Sequence, residues 1–524
     1  MYPKTRWFTW VSDARQESLG SQVFKGSQSK YLLSSGVPGG RTFVWRGDSG
    51  AARRALHRPL QPGTGRGPSP RWGPAAALSA AANMEKRTYA AMPTGRRPSS
   101  NPGLAQGALP GVLVIVPSWG QRCGVAEYTR FLIDGLRAEG FTAEVARGYE
   151  SEVLSILRRG GFRVAHVQFE YQLFGPSQLQ RLVRQLKARG IRVVATVHDF
   201  LPGQVAANSL IRDEFNVIVV HSARLRDELS KLGISPERVH VIPMGCPEVA
   251  LGDENAVRAS LGVGQGPALG YFGFALPQKG IIELAVAAKA LRETVFPHLK
   301  VYAFAAPAFF GSGYVGELAA FLSGAGLAEG FILRAEYLPV NEVVNCLHAM
   351  DINILPYKEV AYVGTSSAVR VLMAAQKPII TTDIPYFEDL DGEVYKIPSA
   401  DPARIAEAVM YLMTDSAKRE EMVYRIRRYV ETHKWEQIAK RHAKLYTNLA
   451  ATSVASGAFG PGPALYPVPG PGPDDHACAA GEGMPEAEWR SHPNGTRMGD
   501  GVPRVAAVPD DVWERVVRRF GRRG

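Results

Sequence analysis

Short, almost wholly apolar runs, each closed by a turn and followed by a helical pattern, recur from Val112 to Thr382. Continuous apolar runs of that length suit strands buried on both faces, as in parallel sheets. They are Val112–Val116, Val164–Phe169, Val193–Val197, Val217–Val220 and Val239–Ile242, then Leu269–Phe272, Leu299–Phe304, Ile352–Leu355 and Ile379–Thr382. Between them the apolar spacing becomes helical. Val125, Tyr128, Leu132, Ile133 and Leu136 share one face, and Ser177 to Gly190 reads as a helix capped by Ser177. Gly280–Glu293, Val315–Leu322 and Ala368–Met373 follow, and Ala403–Met413, Lys418–Val430 and Trp435–Leu449 read as three closing helices. The alternation lapses from Val249 to Gln265 and then restarts. The fold class is therefore α/β, with two Rossmann-like doubly wound domains facing across a cleft.

The alternation spans two-thirds of the chain, and the ends differ in kind. Residues 1–107 read as a disordered basic extension, with Gly, Pro and Arg crowded between Gly36 and Ala77. Residues 108–250 form the first domain, 251–430 the second, and 431–452 a closing helix returning to the first. Residues 453–524 are a Pro/Gly-rich tail with one short amphipathic piece, Asp511–Phe520. Met84 and Met92 lie inside the basic extension, and either is expected to be the true start.

The net charge of +12 invites a nucleic-acid reading, but its distribution opposes one. Residues 1–100 hold 16 Lys and Arg against 4 Asp and Glu, and residues 451–524 hold 8 against 9, leaving the body between them near neutral. The four cysteines, Cys123, Cys246, Cys346 and Cys478, are far apart and have no metal spacing, which suits a reducing compartment. No apolar run is long enough to span a membrane, and the N-terminus has no signal-peptide layout. The expected location is cytoplasmic, with association at a membrane's inner face left open.

Residues able to carry chemistry sit where strands end. Ligands bind outside the carboxyl ends of such strands. Gly124 opens the first helix, where a bare backbone and helix N-terminus admit an anion. The loop is not G-x-G-x-x-G, which speaks against a dinucleotide. Glu170 and Tyr171 follow one strand and are candidate acceptor contacts; His198 ends the next, placed to donate to a substrate hydroxyl. Gly273 begins the turn Gly-Phe-Ala-Leu-Pro-Gln-Lys-Gly, which sets Lys279 beside a helix N-terminus, a poor place for a cation without an anion between. Thr365, Ser366 and Ser367 can cap the next helix, and Arg370 is a candidate bidentate grip on phosphate.

With these motifs assembled, the chain resembles glycosyltransferase family 4, sugar-nucleotide transferases of the GT-B architecture, over residues 111–450. The segments that carry the likeness are Cys-Gly-Val-Ala-Glu-Tyr-Thr at 123–129, His-Val-Gln-Phe-Glu-Tyr at 166–171 and Ala-Thr-Val-His-Asp at 195–199. Val-His-Val-Ile-Pro-Met-Gly at 239–245, the Lys279-Gly280 turn, Ala374–Ile380 and Trp435-Glu-Gln-Ile-Ala complete it. The resemblance implies a retaining transfer from a nucleotide-diphosphate sugar to a glycan, lipid-linked or small-molecule acceptor. It implies no cofactor and no obligatory metal. Lys279 and the Gly124 turn would then meet the donor diphosphate, and His198 the donor sugar; Gly273, Thr365, Ser366, Ser367 and Arg370 complete the expected donor site.

Two departures stand out. The family's two glutamates of the loop and helix after Ile352–Leu355 read Val363 and Val371 here, with Glu359 nearby, and the arginine before the Lys-Gly turn reads Phe274. A sugar-nucleotide epimerase of like architecture, a non-catalytic sugar-nucleotide binder, and a nucleic-acid binder acting through the basic arm are the competing readings.

Overall fold

The computed structural model describes residues 109–308, 313–360 and 362–455. The basic extension 1–107 and the tail from residue 456, with its Asp511–Phe520 piece, lie outside the described residues.

The strands are β1 (Gly111–Ile115), β2 (Ala143–Ala146), β3 (Phe162–Phe169), β4 (Arg192–Val197), β5 (Asp199–Phe200), β6 (Val217–Val220) and β7 (Val239–Val241). After them come β8 (Ala268–Ala275), β9 (Lys300–Pro307), β10 (Phe331–Arg334), β11 (Ile352–Leu355), β12 (Val363–Gly364), β13 (Ile379–Thr382) and β14 (Tyr395–Ile397). The helices of the first half are α1 (Gly124–Ala138), α2 (Glu150–Leu157), α3 (Pro176–Ala188), α4 (Val205–Glu214) and α5 (Ala223–Ser230). The second half holds α6 (Glu254–Leu261), α7 (Ile281–Thr294), α8 (Tyr314–Gly324), α9 (Val340–His348), α10 (Ser367–Ala374), α11 (Pro402–Thr414), α12 (Ser416–Thr432) and α13 (Trp435–Ala455).

Two six-stranded parallel sheets result, ordered β2-β1-β3-β4-β6-β7 and β10-β9-β8-β11-β13-β14. Their central strands are those the sequence marks by unbroken apolar runs, and every residue of β1, β6, β11 and β13 is buried. The strand order reverses between β1 and β3 in the first sheet and between β8 and β11 in the second. Crevices open at the carboxyl ends of strands flanking such a reversal. The loops collected there are those of Gly124 and Glu170 in one domain, and of Lys279 and Thr365 in the other.

Several elements escape the sequence reading. Edge strands β2 and β10 are short and only partly buried, so they lack an apolar run. Helix α6 fills the lapse after Val249; Asp253 caps it, accepting from the Ala256 amide, and Gly262 ends it in the left-handed conformation. Ser177 is not a cap: α3 starts one residue earlier at Pro176, with Gly175 in the cap position.

The last helix belongs to the first domain. Tyr128 meets the Trp435 indole edge-on with centroids 4.9 Å apart, and Phe131 stacks on it at 5.3 Å. Gly135 lets α1 approach Ala439, and Gly245 lies under the indole. Farther along, the Tyr446 hydroxyl is 2.6 Å from His166 Nδ1. The chain thus passes between domains twice, side by side: the Cys246 amide donates to the His433 carbonyl at 2.8 Å, and Cys246 and Lys434 form a parallel bridge.

Truncating this anchor, Trp435→Ala, removes a buried aromatic contact to α1 and is expected to cost about 3 kcal/mol. The unfolding midpoint in urea should fall, with α13 becoming protease-sensitive first; an unchanged midpoint would show that α13 does not hold the first domain.

Candidate functional site

Gly124 and Ser367 face each other: a Cβ on Gly124 would lie 4.0 Å from the Ser367 hydroxyl oxygen. They are the first residues of α1 and α10, so two helix N-termini from different domains converge. A third, that of α7, follows Lys279 and Gly280. None of the three has a side-chain cap. Helices α2, α3, α4, α8 and α9 are likewise uncapped, whereas α5, α6, α11 and α12 are capped by Ser222, Asp253, Asp401 and Asp415; what sets the site apart is that α1 and α10 face each other. Uncapped N-termini leave amide donors for an anion. The expected serine cap of α10 is thus corrected: Ser366 occupies the cap position but makes no cap bond, and it hydrogen-bonds the Tyr357 side chain instead. Thr365 beside it is buried, and Ser367 is exposed.

Lys279 closes a short turn, Pro277–Lys279, after β8. Gly280 follows in the left-handed conformation with its Cα against the Pro356 carbonyl, a place that only glycine fills without strain. The Lys279 ammonium lies 3.7 Å from the Tyr357 ring centroid and 5.4 Å from that of Tyr386. Burial lowers its pKa, while Tyr362 and Asp199 act in the other direction. The two rings cage the ammonium, and Gly273 lies against the Tyr271 and Tyr357 hydroxyls.

Asp199 comes from the first domain. Its strand β5 pairs antiparallel with β12 of the second, Phe200 opposite Val363 and Asp199 opposite Gly364. The Asp199 carboxylate occupies the space a Gly364 side chain would need. Burial pushes the Asp199 carboxyl up to about 6, with Lys279 opposing. Burial, and then Asp199, push Glu170 up to about 7. The first-domain side of the site thus carries two carboxyl groups poised near neutrality.

Other expected site residues sit differently. His198 is buried with both ring nitrogens engaged: Nε2 is 3.1 Å from the Gln168 amide, and Nδ1 is 3.2 Å from His221 Nε2. Burial holds His198 and His221 neutral. The Ile242 carbonyl can only accept, so His221 donates to it from Nδ1 at 3.0 Å and accepts from His198 Nδ1. His198 Nε2 faces Gln168 Oε1, and the ring, held between Gln168 and His221, braces the strand end that carries Asp199. Tyr171 is a brace too: its hydroxyl donates to Asn208 Oδ1 at 2.7 Å and accepts from the Leu201 amide at 3.3 Å. Arg370 corrects the expectation of a phosphate grip. It is buried and ion-paired with Asp389, and it donates to the Tyr429 hydroxyl at 3.1 Å and the Ser366 carbonyl at 3.4 Å. Sequence reasoning missed Tyr357, Tyr386 and Gly364, and left Asp199 without a role; only tertiary contact brings them to Lys279. Among the described residues no three His, Cys, Asp or Glu side chains are grouped to hold a metal ion.

Comparison with known proteins gives two family matches. Residues 146–248 match the family described as Glycosyltransferase Family 4, and residues 266–415 that described as Glycosyl transferases group 1. No curated protein sequence matches the chain. Among solved structures, Anabaena HepE in complex with UDP is similar at 15% identity and TM-score 0.53, over 64% of this chain and 100% of that one. Sucrose-phosphate synthase from Thermosynechococcus elongatus is similar at 15% identity and TM-score 0.54, over 66% of this chain and all of that one. A glycosyltransferase from Rickettsia africae follows at 11% identity and TM-score 0.53, over 65% and 98%. At such identities the likeness establishes the shared two-domain fold.

The Glu170 carboxyl supplies a test of the site's electrostatics. A carboxyl raised by folding favours the folded state below its unfolded pKa of 4.5, and that gain is lost as pH rises to about 7. Wild type should therefore lose stability relative to Glu170→Gln across that window in paired thermal melts. A difference independent of pH would show Glu170 to be solvated like any surface carboxylate.

Proposed function

The chain is a glycosyltransferase of the family 4, group 1 type, and from that premise we propose how it uses its nucleotide-sugar donor. The donor diphosphate lies between Lys279 and the facing N-termini of α1, α7 and α10. The observation that carries this reading is that the N-termini of α1 and α10 face each other across the domains, Gly124 against Ser367, with Lys279 at the turn that opens α7 on the same switch point. Charge grows on the diphosphate as the glycosidic bond breaks. Preorganised donors and a fixed cation stabilise that charge without reorganising. The caged ammonium is strengthened for this role by being shielded from water.

The acceptor, a glycan, lipid-linked or small molecule, approaches over the first domain, where Glu170 accepts a hydrogen bond from its hydroxyl. We take the transfer to retain anomeric configuration, as the family resemblance implies, and to need no metal ion. A lipid-linked acceptor would bring the protein to the cytoplasmic face of a membrane; among the described residues no helix is long and apolar enough to cross one. The UDP and glucose of one HepE complex support a UDP-sugar as the first donor to try.

One observation favours a second reading, a sugar-nucleotide binder without turnover. Val363 is committed to the inter-domain ladder and Val371 packs against the second domain's core, so neither position offers a carboxylate to a ribose.

The deciding experiment is a thermal shift of the whole chain with UDP, GDP, ADP and their glucose conjugates, with and without chelator. A ligand at about 100 times its dissociation constant should stabilise by about 2.7 kcal/mol. The shift should survive chelation and vanish in Lys279→Ala. Release of free sugar from the bound donor supports the transferase; binding with no release, across acceptors, favours the second reading. No shift with any nucleotide would overturn both.

A further inference from the structure

We infer that Arg122, from the first domain, supplies the second positive charge to the donor diphosphate. The inference rests on the donor site proposed above and names a residue that reading leaves idle.

A diphosphate diester carries two negative charges, and the leaving nucleoside diphosphate carries more. Lys279 offsets one. The second domain offers little else: Phe274 stands before the Lys-Gly turn, and the Arg370 guanidinium is spent on Asp389. Other cations on the segments bordering the cleft are also taken. Lys358 pairs with Glu283 at 2.6 Å, Arg130 with Glu127 at 2.6 Å, Arg224 with Glu388 at 3.4 Å and Arg334 with Glu336 at 3.2 Å.

Arg122 differs. It is exposed and, among the described residues, has no carboxylate partner. Its guanidinium lies over the Tyr337 ring of the second domain, 5.9 Å from the centroid, so the side chain already spans the cleft. Its backbone is held by successive turns: the Gln121 amide donates to the Ser118 carbonyl at 2.9 Å, and the Cys123 amide to the Gln121 carbonyl at 2.9 Å. That fixes Arg122 two residues before Gly124, where α1 faces Ser367. A cation resting on an aromatic face is weakly held, and a diphosphate offers it a bidentate, charge-assisted partner. Donor charge is then neutralised from both domains at once, so donor binding and domain closure are coupled through this side chain.

The test uses the full chain and whichever of UDP, GDP or ADP the wild type binds, titrated beside the matching nucleoside. Arg122→Ala should weaken diphosphate binding by about tenfold to a hundredfold, as expected for a lost charge-assisted contact. Nucleoside binding and the unfolding midpoint should not change, since the side chain is exposed. Arg122→Lys should recover part of the loss, and the gap between wild type and Arg122→Ala should narrow as salt rises. Unchanged diphosphate affinity in Arg122→Ala, with Lys279→Ala still defective, overturns the inference and leaves the donor site standing. Equal losses for nucleoside and diphosphate also overturn it, since they would mark a structural role. A wild type that binds no nucleotide removes the donor site and this inference together.

Discussion

An ammonium withdrawn from water has to be compensated nearby, and much around the Lys279 side chain does so. Tyr357 and Tyr386 turn ring faces toward it from one domain, while the buried Asp199 of the other acts on it electrostatically. Asp199 can be there because β5 pairs with β12, and β12 can pair because Gly364 has no side chain. His198 and His221, neutral and bonded in series down to the Ile242 carbonyl, fix the strand end from which Asp199 projects. The cage is a joint product of both sheets, and a ligand anion would find its counter-charge already aimed.

The doubly wound plan was legible because buried parallel strands must be apolar on both faces. β3, β4, β8, β9 and β11 advertise themselves for that reason. Edge strands β2 and β10 face solvent in part and leave no such mark. Helix α6 carried readable signals, Asp253 before it and Gly262 after it, but its exposed face shows little apolar periodicity.

The site was half legible. Turn position alone put Gly124, Lys279 and the serine loop at strand ends, and the structure has them there, with Gly124 facing Ser367. Arg370 was misjudged because helical spacing says which residues share a face but not what the face meets. Its partner Asp389 lies 19 residues on, across a turn the sequence does not orient. Tyr171 was misjudged likewise: its hydroxyl is consumed by Asn208 of α4, a helix the apolar pattern hid. The tyrosines of the cage share no motif with Lys279 and meet it only once β8, β11 and the segment after β13 are packed.

The paired crossings at Cys246 and Lys434 have a mechanical consequence. One covalent strand between two bodies is a swivel, free in every direction. Two strands running abreast and pinned to each other, as the Cys246 amide is to the His433 carbonyl, make a door hinge. Rotation about the line through both is cheap, whereas torsion would have to shear the pair. Any opening of the two halves would therefore run along one arc, and closing would bring Gly364 back onto Asp199 in the same register.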